Sequence, residues 1–378
     1  MTLTNRKNST FSQKAKAEII SLLKPIIILA AIGLIVMLLT NGKPPALVVG
    51  LSFGLIACFV SISQQKRLLQ NSKLTSQTDN LSAVNLNDAE IKKLSVHQDL
   101  LQKLVDKVSE EQLNKAHFIL VNLSNASLNN IILDDVYFIG TNLRNAQLVN
   151  ASFLNGNFCG ANLSNANLSS ANLSSANLSS ANLSNANLSN ANLNNANLSS
   201  ANLNNAHLMG ANLSNANLSD ANFNNAHLMS ANLSGVYLWN GKLNDAQLIG
   251  ANFSNAYMNS AKLKNANLSS ADLKNAKLSN AKLKDANLSN ADLRGADLSS
   301  ANLKNTNFSD ANLKDANLCG ANLEDANLNN ADLRNADLRN ANFNNVKVEK
   351  THFGYNQSFS EEMKLELKLL GAIFEGNW

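Results

Sequence analysis

His207 and His227 stand twenty residues apart, each two places before a methionine, Met209 and Met229. Two imidazoles in register are the beginning of a metal site, but zinc centres draw three or four ligands from His, Cys and carboxylates. No cysteine or carboxylate sits at a suitable offset from this pair, so no metal and no other cofactor is expected. Ile249 continues the methionine series at the same interval. Tyr237, Trp239 and Tyr257 form a second group, again with a twenty-residue spacing between the tyrosines. Lys242, Lys262 and Lys282 make a third series, accompanied by Lys264, Lys284 and Lys304. None of these groups supplies a nucleophile, a base and an orienting partner, and no glycine-rich phosphate loop accompanies them, so an enzyme acting on a small-molecule substrate is not expected. Their chemistry is that of contact: apolar and aromatic side chains for a partner surface, ammonium groups for anions.

The interval follows from an internal repeat. From Phe118 to Phe353, in steps of five, there are 48 centres, of which 37 are Leu, nine are Phe and two are Met258 and Val348. Two places before the centre the residue is Ala in 38 of the 48. The other three positions of the phrase are mostly polar. On an α-helix, centres five residues apart rotate by roughly 140°, which spreads Leu over every face and leaves no apolar stripe. In extended backbone, residues i−2 and i lie on one side, so Ala and Leu both point inward while i−1 and i+1 point outward. The next inward Ala lies three residues after Leu, an odd step that demands a corner in each repeat. Strict apolar register over so many repeats also argues against a disordered Asn/Ser-rich tract.

If each corner turns a quarter circle, four phrases close a coil of about 20 residues, and coils stack at about 4.8 Å. The repeats then make about 12 coils and a rod of about 58 Å. Arithmetic alone leaves a three-sided coil open. Runs such as ANLSN, ANLSS, ADLRN and AKLKD resemble the pentapeptide-repeat family. That resemblance implies an all-β solenoid, a right-handed quadrilateral β-helix, and so supplies the number of sides and the hand.

With twenty residues per coil, side chains at that interval stack on four lateral faces. Numbering the face of Phe118 as the first, Phe118, Phe138 and Phe158 form an inward aromatic column there. Tyr237, Trp239 and Tyr257 lie outward on this face. The lysine series lie on the second face, partly offset by Asp245, Asp285, Glu324 and Asp325. Their plain reading is a solubilising surface; the alternative is a surface for anionic lipid or nucleic acid. His207, Met209, His227, Met229 and Ile249 lie outward on the third face. On the fourth, Asp272, Asp292 and Asp332 stand beside Lys274, Arg294, Lys314 and Arg334, which predicts mutual pairing. Cys159 and Cys319 are eight coils apart, about 38 Å, and cannot pair with each other.

The flanks are of another kind. Residues 1–24 are polar and basic. Within 25–62, PIIILAAIGLIVMLLT and ALVVGLSFGLIACFVSI carry no charge and are joined by NGKPP, which predicts a transmembrane helical hairpin. The basic stretch ahead of it is long and no small-x-small cleavage site follows, which argues against a cleaved signal peptide. Five basic residues precede the hairpin and Lys66, Arg67 and Lys73 follow, against Lys43 in the loop. Both ends, and the repeat domain, are therefore expected on the cytoplasmic side of a membrane. Residues 63–87 read as a linker, 88–115 as an amphipathic helical cap, 116–353 as the β-helix and 354–378 as a second helical cap. In the last, Ser360, Glu361 and Glu362 mark a helix start, Gly371 a stop, and Met363, Leu367 and Leu370 a stripe for the final coil.

These features predict a membrane-anchored, non-catalytic scaffold that presents its faces to an unidentified protein partner or to another copy of itself. The family resemblance implies an alternative, since some members mimic DNA and inhibit type II topoisomerases. From Leu113 to Trp378 there are 18 basic and 19 acidic residues, a net charge of −1 rather than a strongly acidic rod, so nucleic-acid chemistry is not the expected one. A third class, an ice- or surface-ordering protein, lacks the threonine columns it would need.

Overall fold

The computed structural model describes residues 117–356 and 359–375. The expected basic segment, hairpin, linker and first cap, residues 1–115, lie outside them. Among the described residues no helix is long and apolar enough to cross a membrane.

From His117 onward each residue just before a centre makes a parallel bridge with the residue twenty places later, as in His117 with Tyr137 and Asn122 with Asn142. Four such bridges fall within each 20-residue interval, so one circuit has four short extended sides. Successive circuits are tied by backbone bonds at every side. Leu123 N–H donates to Asn142 O at 2.7 Å, Asn142 N–H to Val121 O at 2.9 Å, and Asn125 N–H to Arg144 O at 2.8 Å. The corner is closed within the chain, Ala126 N–H donating to Leu123 O at 3.1 Å.

That corner places the second residue after each centre in the left-handed region: φ is 61° at Asn125, 57° at Asn165 and 57° at Ser170. Asn, Asp and Gly tolerate this conformation best, which explains the polar identity of that position beyond its exposure. Inside, Ala and Leu or Phe from all four sides are buried from Phe118 to Phe353, with Ala341 partly buried near the end. Phe118, Phe138 and Phe158 stack in a column with centroids 5.1 Å apart, and Phe153 meets Phe138 and Phe158 edge-on. Where Ala is replaced by a polar residue the side chain finds a carbonyl one circuit back. Thr306 Oγ1 donates to Leu283 O at 2.9 Å and Thr351 Oγ1 to Leu328 O at 2.7 Å. A buried hydroxyl without such a partner would be strongly unfavourable.

Asn at i−1 serves twice. Asn162 Oδ1 accepts from the N–H of Ser164 at 3.1 Å, a donor that the turn leaves free, while its Nδ2 reaches Asn142 Oδ1 at 3.4 Å. Repetition of both bonds gives a side-chain ladder, through Asn182, Asn202 and Asn222 on the second face.

The solenoid ends in β1 (His352–Gly354), α1 (Glu361–Leu369) and β2 (Ile373–Glu375). Ser360 caps α1, its Oγ accepting from Met363 N–H at 3.2 Å, with Glu361 and Glu362 in the first turn and Lys368 in the last. Leu367 is buried and Met363 packs against the core, as the stripe requires. Leu370 differs. It forms the C-cap and is 50% exposed. A helix that stops at Leu369 cannot carry its stripe one residue further. Gly371 then turns the chain at φ 92°, and β2 pairs in parallel with β1, His352 opposite Ile373. The sequence reading missed this strand. Phe374 stacks on Phe353 at 5.1 Å and Phe359 meets Phe353 edge-on at 5.4 Å, so aromatics outside the helix supply much of the apolar cover.

Candidate functional site

The regular ladder defines what is unusual. On the third face His207 and His227 replace Asn at i−1 and stack with centroids 4.9 Å apart and planes 4° apart. Met209 is 51% exposed, Ile249 is exposed and Met229 half-buried, in a column filled on most other circuits by Ser or Asn. The substitution has a backbone consequence. Among the described residues, the i−1 side-chain bond made at Ser169, Ser189 and Ser269 is missing at Met209, Met229 and Ile249. Each such bond contributes about 1 kcal/mol. Among the described residues no cluster of three His, Cys, Asp or Glu is placed to hold a metal ion, so the histidine pair has no third ligand there.

On the first face Tyr237 and Tyr257 stack at 5.1 Å with planes 9° apart, and Trp239 meets Tyr237 edge-on at 6.1 Å. Trp239 is 47% exposed. Around one corner, past Asn240 and Gly241, Lys242 begins the second-face stripe. Lys242 bridges Lys262, which bridges Lys282, so ammonium-bearing residues are direct neighbours on consecutive circuits. Asp220 lies at the same edge, its carboxyl pushed up by burial against the opposing effects of the Asn240 side chain and Lys242.

The structure therefore does not merge the expected contact residues into one surface. The aromatic group and the histidine–methionine group occupy non-adjacent sides of the circuit, and the lysines lie on the side between them. It also divides the stripe. Lys304 pairs with Glu324 at 2.8 Å and Asp325 at 3.6 Å, and Lys284 approaches Asp285 at 4.0 Å. Among the described residues Lys242, Lys262, Lys264 and Lys282 form no ion pair. Lys277, directly below Tyr257 in its column, is also unpaired there. It was absent from the sequence reading, although one more twenty-residue step from Tyr257 finds it.

On the fourth face the predicted pairing forms for Lys274, Arg294 and Arg334, while among the described residues Lys314 makes no ion pair. Lys274 pairs with Asp272 and Asp292 at 3.3 Å, Arg294 with Asp292 at 2.8 Å and Arg334 with Asp332 at 2.7 Å. Burial would raise the Asp292 and Asp332 carboxyls, but their arginine neighbours outweigh it and hold both below the usual range. Near the end, Arg334 also reaches Glu375 at 3.0 Å, and Glu375 meets His352 at 2.9 Å. This cluster was not foreseen, because Glu375 is brought in by β2, outside the repeat register.

The pentapeptide repeats pattern matches residues 116–155, 157–190, 191–229, 231–269, 271–310 and 306–345, in eight copies. Among solved structures, the chain is similar to HetL, a pentapeptide repeat protein involved in heterocyst differentiation regulation from the cyanobacterium Nostoc sp. strain PCC 7120. That likeness has 28% identity over 60% of this chain and 91% of HetL, with a TM-score of 0.27. It is similar also to full-length QnrB1, a plasmid-mediated fluoroquinolone resistance protein, at 17% identity over 65% and 99% of the two chains, TM-score 0.26. A third likeness is to a pentapeptide repeat protein from the Arabidopsis thaliana thylakoid lumen, at 24% identity over 28% and 78%, TM-score 0.19. Comparison with curated proteins gave no match.

Proposed function

The chain belongs to the pentapeptide-repeat family, and from that premise we propose that it is a non-catalytic scaffold, held at a membrane by residues 25–62, whose third face binds a protein partner. The repeat domain is a right-handed rod of about twelve coils, on the cytoplasmic side. The observation that carries the reading is the outward placement of Met209, Met229 and Ile249 on three consecutive circuits, in a column that holds Ser or Asn on most other circuits. Exposed Met and Ile in register make a contiguous apolar strip, of the kind that marks an interaction surface. Loss of a stabilising side-chain bond at each of these positions adds weight, since local rules are broken most often where function requires it. The net charge of −1 between Leu113 and Trp378 favours this over a DNA-mimicking inhibitor of a topoisomerase.

The test is crosslinking of the full chain in membranes, with Met209, Met229 and Ile249 replaced together by Ser. Loss of a crosslinked species formed by the unsubstituted chain is expected. An unchanged crosslinking pattern would sink the reading. Protease access to a tag placed after Trp378 reports the side of the membrane, and a tag shielded within sealed cytoplasmic-side-out vesicles would reverse the orientation.

A further inference from the structure

We propose that the edge joining the first and second faces, with Tyr237, Trp239 and Tyr257 on one side and Lys242, Lys262 and Lys282 on the other, docks the rod lengthwise on an anionic bilayer surface. Three observations lead there. The lysines are stacked on consecutive circuits without an ion pair among the described residues, in contrast to the paired charges of the fourth face. Like charges opposed across neighbouring strands are destabilising, and an anionic surface relieves that repulsion. Lys264 and Lys277 extend the unpaired charge on both faces. Of the acids nearby, Asp245 accepts from Asn265 at 2.9 Å, Asp285 from Asn305 at 3.0 Å with Lys284 4.0 Å away, Asp297, next to Lys277 in its column, from Asn317 at 3.1 Å, and Asp220 is part-buried between Asn240 and Lys242.

The geometry of the rings selects the partner. Tyr237 and Tyr257 each cover one face of the other, and their column continues into Asn217 on one side and Lys277 on the other, so the tyrosines offer edges and hydroxyls to the outside. A base of single-stranded nucleic acid needs an open plane on which to stack. A bilayer interface does not. There Tyr and Trp insert an apolar body and keep a polar tip among the headgroups, while lysines on the flank meet anionic lipid at about fivefold in affinity per residue. A bilayer as the occupant rests in part on the reading of 25–62 as a membrane hairpin, which would hold such a surface within reach.

Trp239 is its own reporter once Trp378 is changed to Phe. The full chain with Trp378→Phe is reconstituted with vesicles of phosphatidylcholine alone, or with about 30% phosphatidylserine, the lipid of an anionic leaflet. A blue-shifted Trp239 emission and its quenching by bromine-labelled acyl chains are expected with phosphatidylserine only. Substituting Lys242, Lys262 and Lys282 by Gln should weaken that response by about a hundredfold. Equal emission in both vesicles, or a response indifferent to the three substitutions, would overturn the proposal. So would an oligothymidylate that shifts Trp239 when vesicles do not, since the partner would then be a nucleic acid. Flotation with phosphatidylcholine alone reports the hairpin separately. A chain that floats without a Trp239 response fails this proposal and keeps the anchor; one that does not float yet responds to phosphatidylserine does the reverse.

Discussion

The rings of His207 and His227 lie parallel at 4.9 Å in a column whose next rungs are Asn187 and Gln247. Each ring stands where an Asn would accept the N–H of the residue two places on, as Asn187 does for Ser189 at 3.1 Å. Restoring Asn at both positions regains two backbone bonds of about 1 kcal/mol each and loses one ring contact of about 1 kcal/mol. His207→Asn with His227→Asn should therefore raise stability by about 1 kcal/mol, read by thermal melting. If the face binds a partner, crosslinking should fall in the same variant. A gain in stability with unchanged crosslinking would mark the histidines as drift.

Leu120 is held at φ 57°, a region costly for a large side chain, and its Cδ2 lies 2.7 Å from where a Cβ on Gly140 would be. The two residues occupy the same corner on consecutive circuits. Leu120→Asn should stabilise the first circuits by about 1 kcal/mol through relief of the left-handed conformation. Gly140→Asn alone should gain nothing, because the new side chain meets Leu120. The double variant can form the rung seen between Asn145 Nδ2 and Asn125 Oδ1 at 3.0 Å. A double-mutant cycle should show favourable coupling of about 0.5 kcal/mol or more; additivity would mean that Leu120 yields freely.

The carboxyl of Glu375 is held below its ordinary range, first by its hydrogen bond with His352, then by Arg334, against a small opposing desolvation. A depressed pKa in the folded state means that the stabilisation is complete above the unfolded value of about 4.3 and is lost as pH falls through the lower folded value. Asp337, bound by Arg339, behaves in the same sense. Melting should thus shift downward below about pH 4, and Glu375→Gln should remove part of that dependence while Asp337 preserves the rest. An identical pH profile for the variant would show that β2 is held by its pairing with β1 and by the stacking of Phe374 on Phe353, without help from the Glu375 carboxylate.

The fold was legible because its rule is local and endlessly repeated. Ala, centre and corner each have one preferred chemistry, so register alone fixes which residues are buried and which stack. The same rule sorted His207, Trp239 and Lys242 onto separate faces. Pairing was less legible. Whether Lys282 or Lys304 finds a carboxylate depends on side-chain reach across circuits, and Glu324 lies twenty residues from one and forty-two from the other. The C-terminal closure was read least well. Its helix followed from Ser360, Glu361 and Gly371, but β2 has only three residues and gains its place by pairing with β1, which no periodicity announces.

That closure gives the sharpest contrast between a stripe read from sequence and one seen in the structure. Leu367 and Leu370 are one helical turn apart and equivalent by periodicity, yet Leu367 is 2% exposed and Leu370 50%. Leu367→Ala removes a buried side chain where the core can relax only on one side, and should cost about 2–3 kcal/mol. Leu370→Ala removes little buried area and should stay within about 0.5 kcal/mol. Hydrogen exchange at β2 separates local from global effects. Leu367→Ala should speed exchange at Ile373 and Lys350, whose N–H groups bond to Thr351 O at 2.8 Å and Gly371 O at 2.8 Å, while Leu203 N–H, in the middle circuits, keeps its protection. Equal acceleration along the whole solenoid would mean instead that the last circuit and the body open as one cooperative unit, and that the closure governs the stability of every coil.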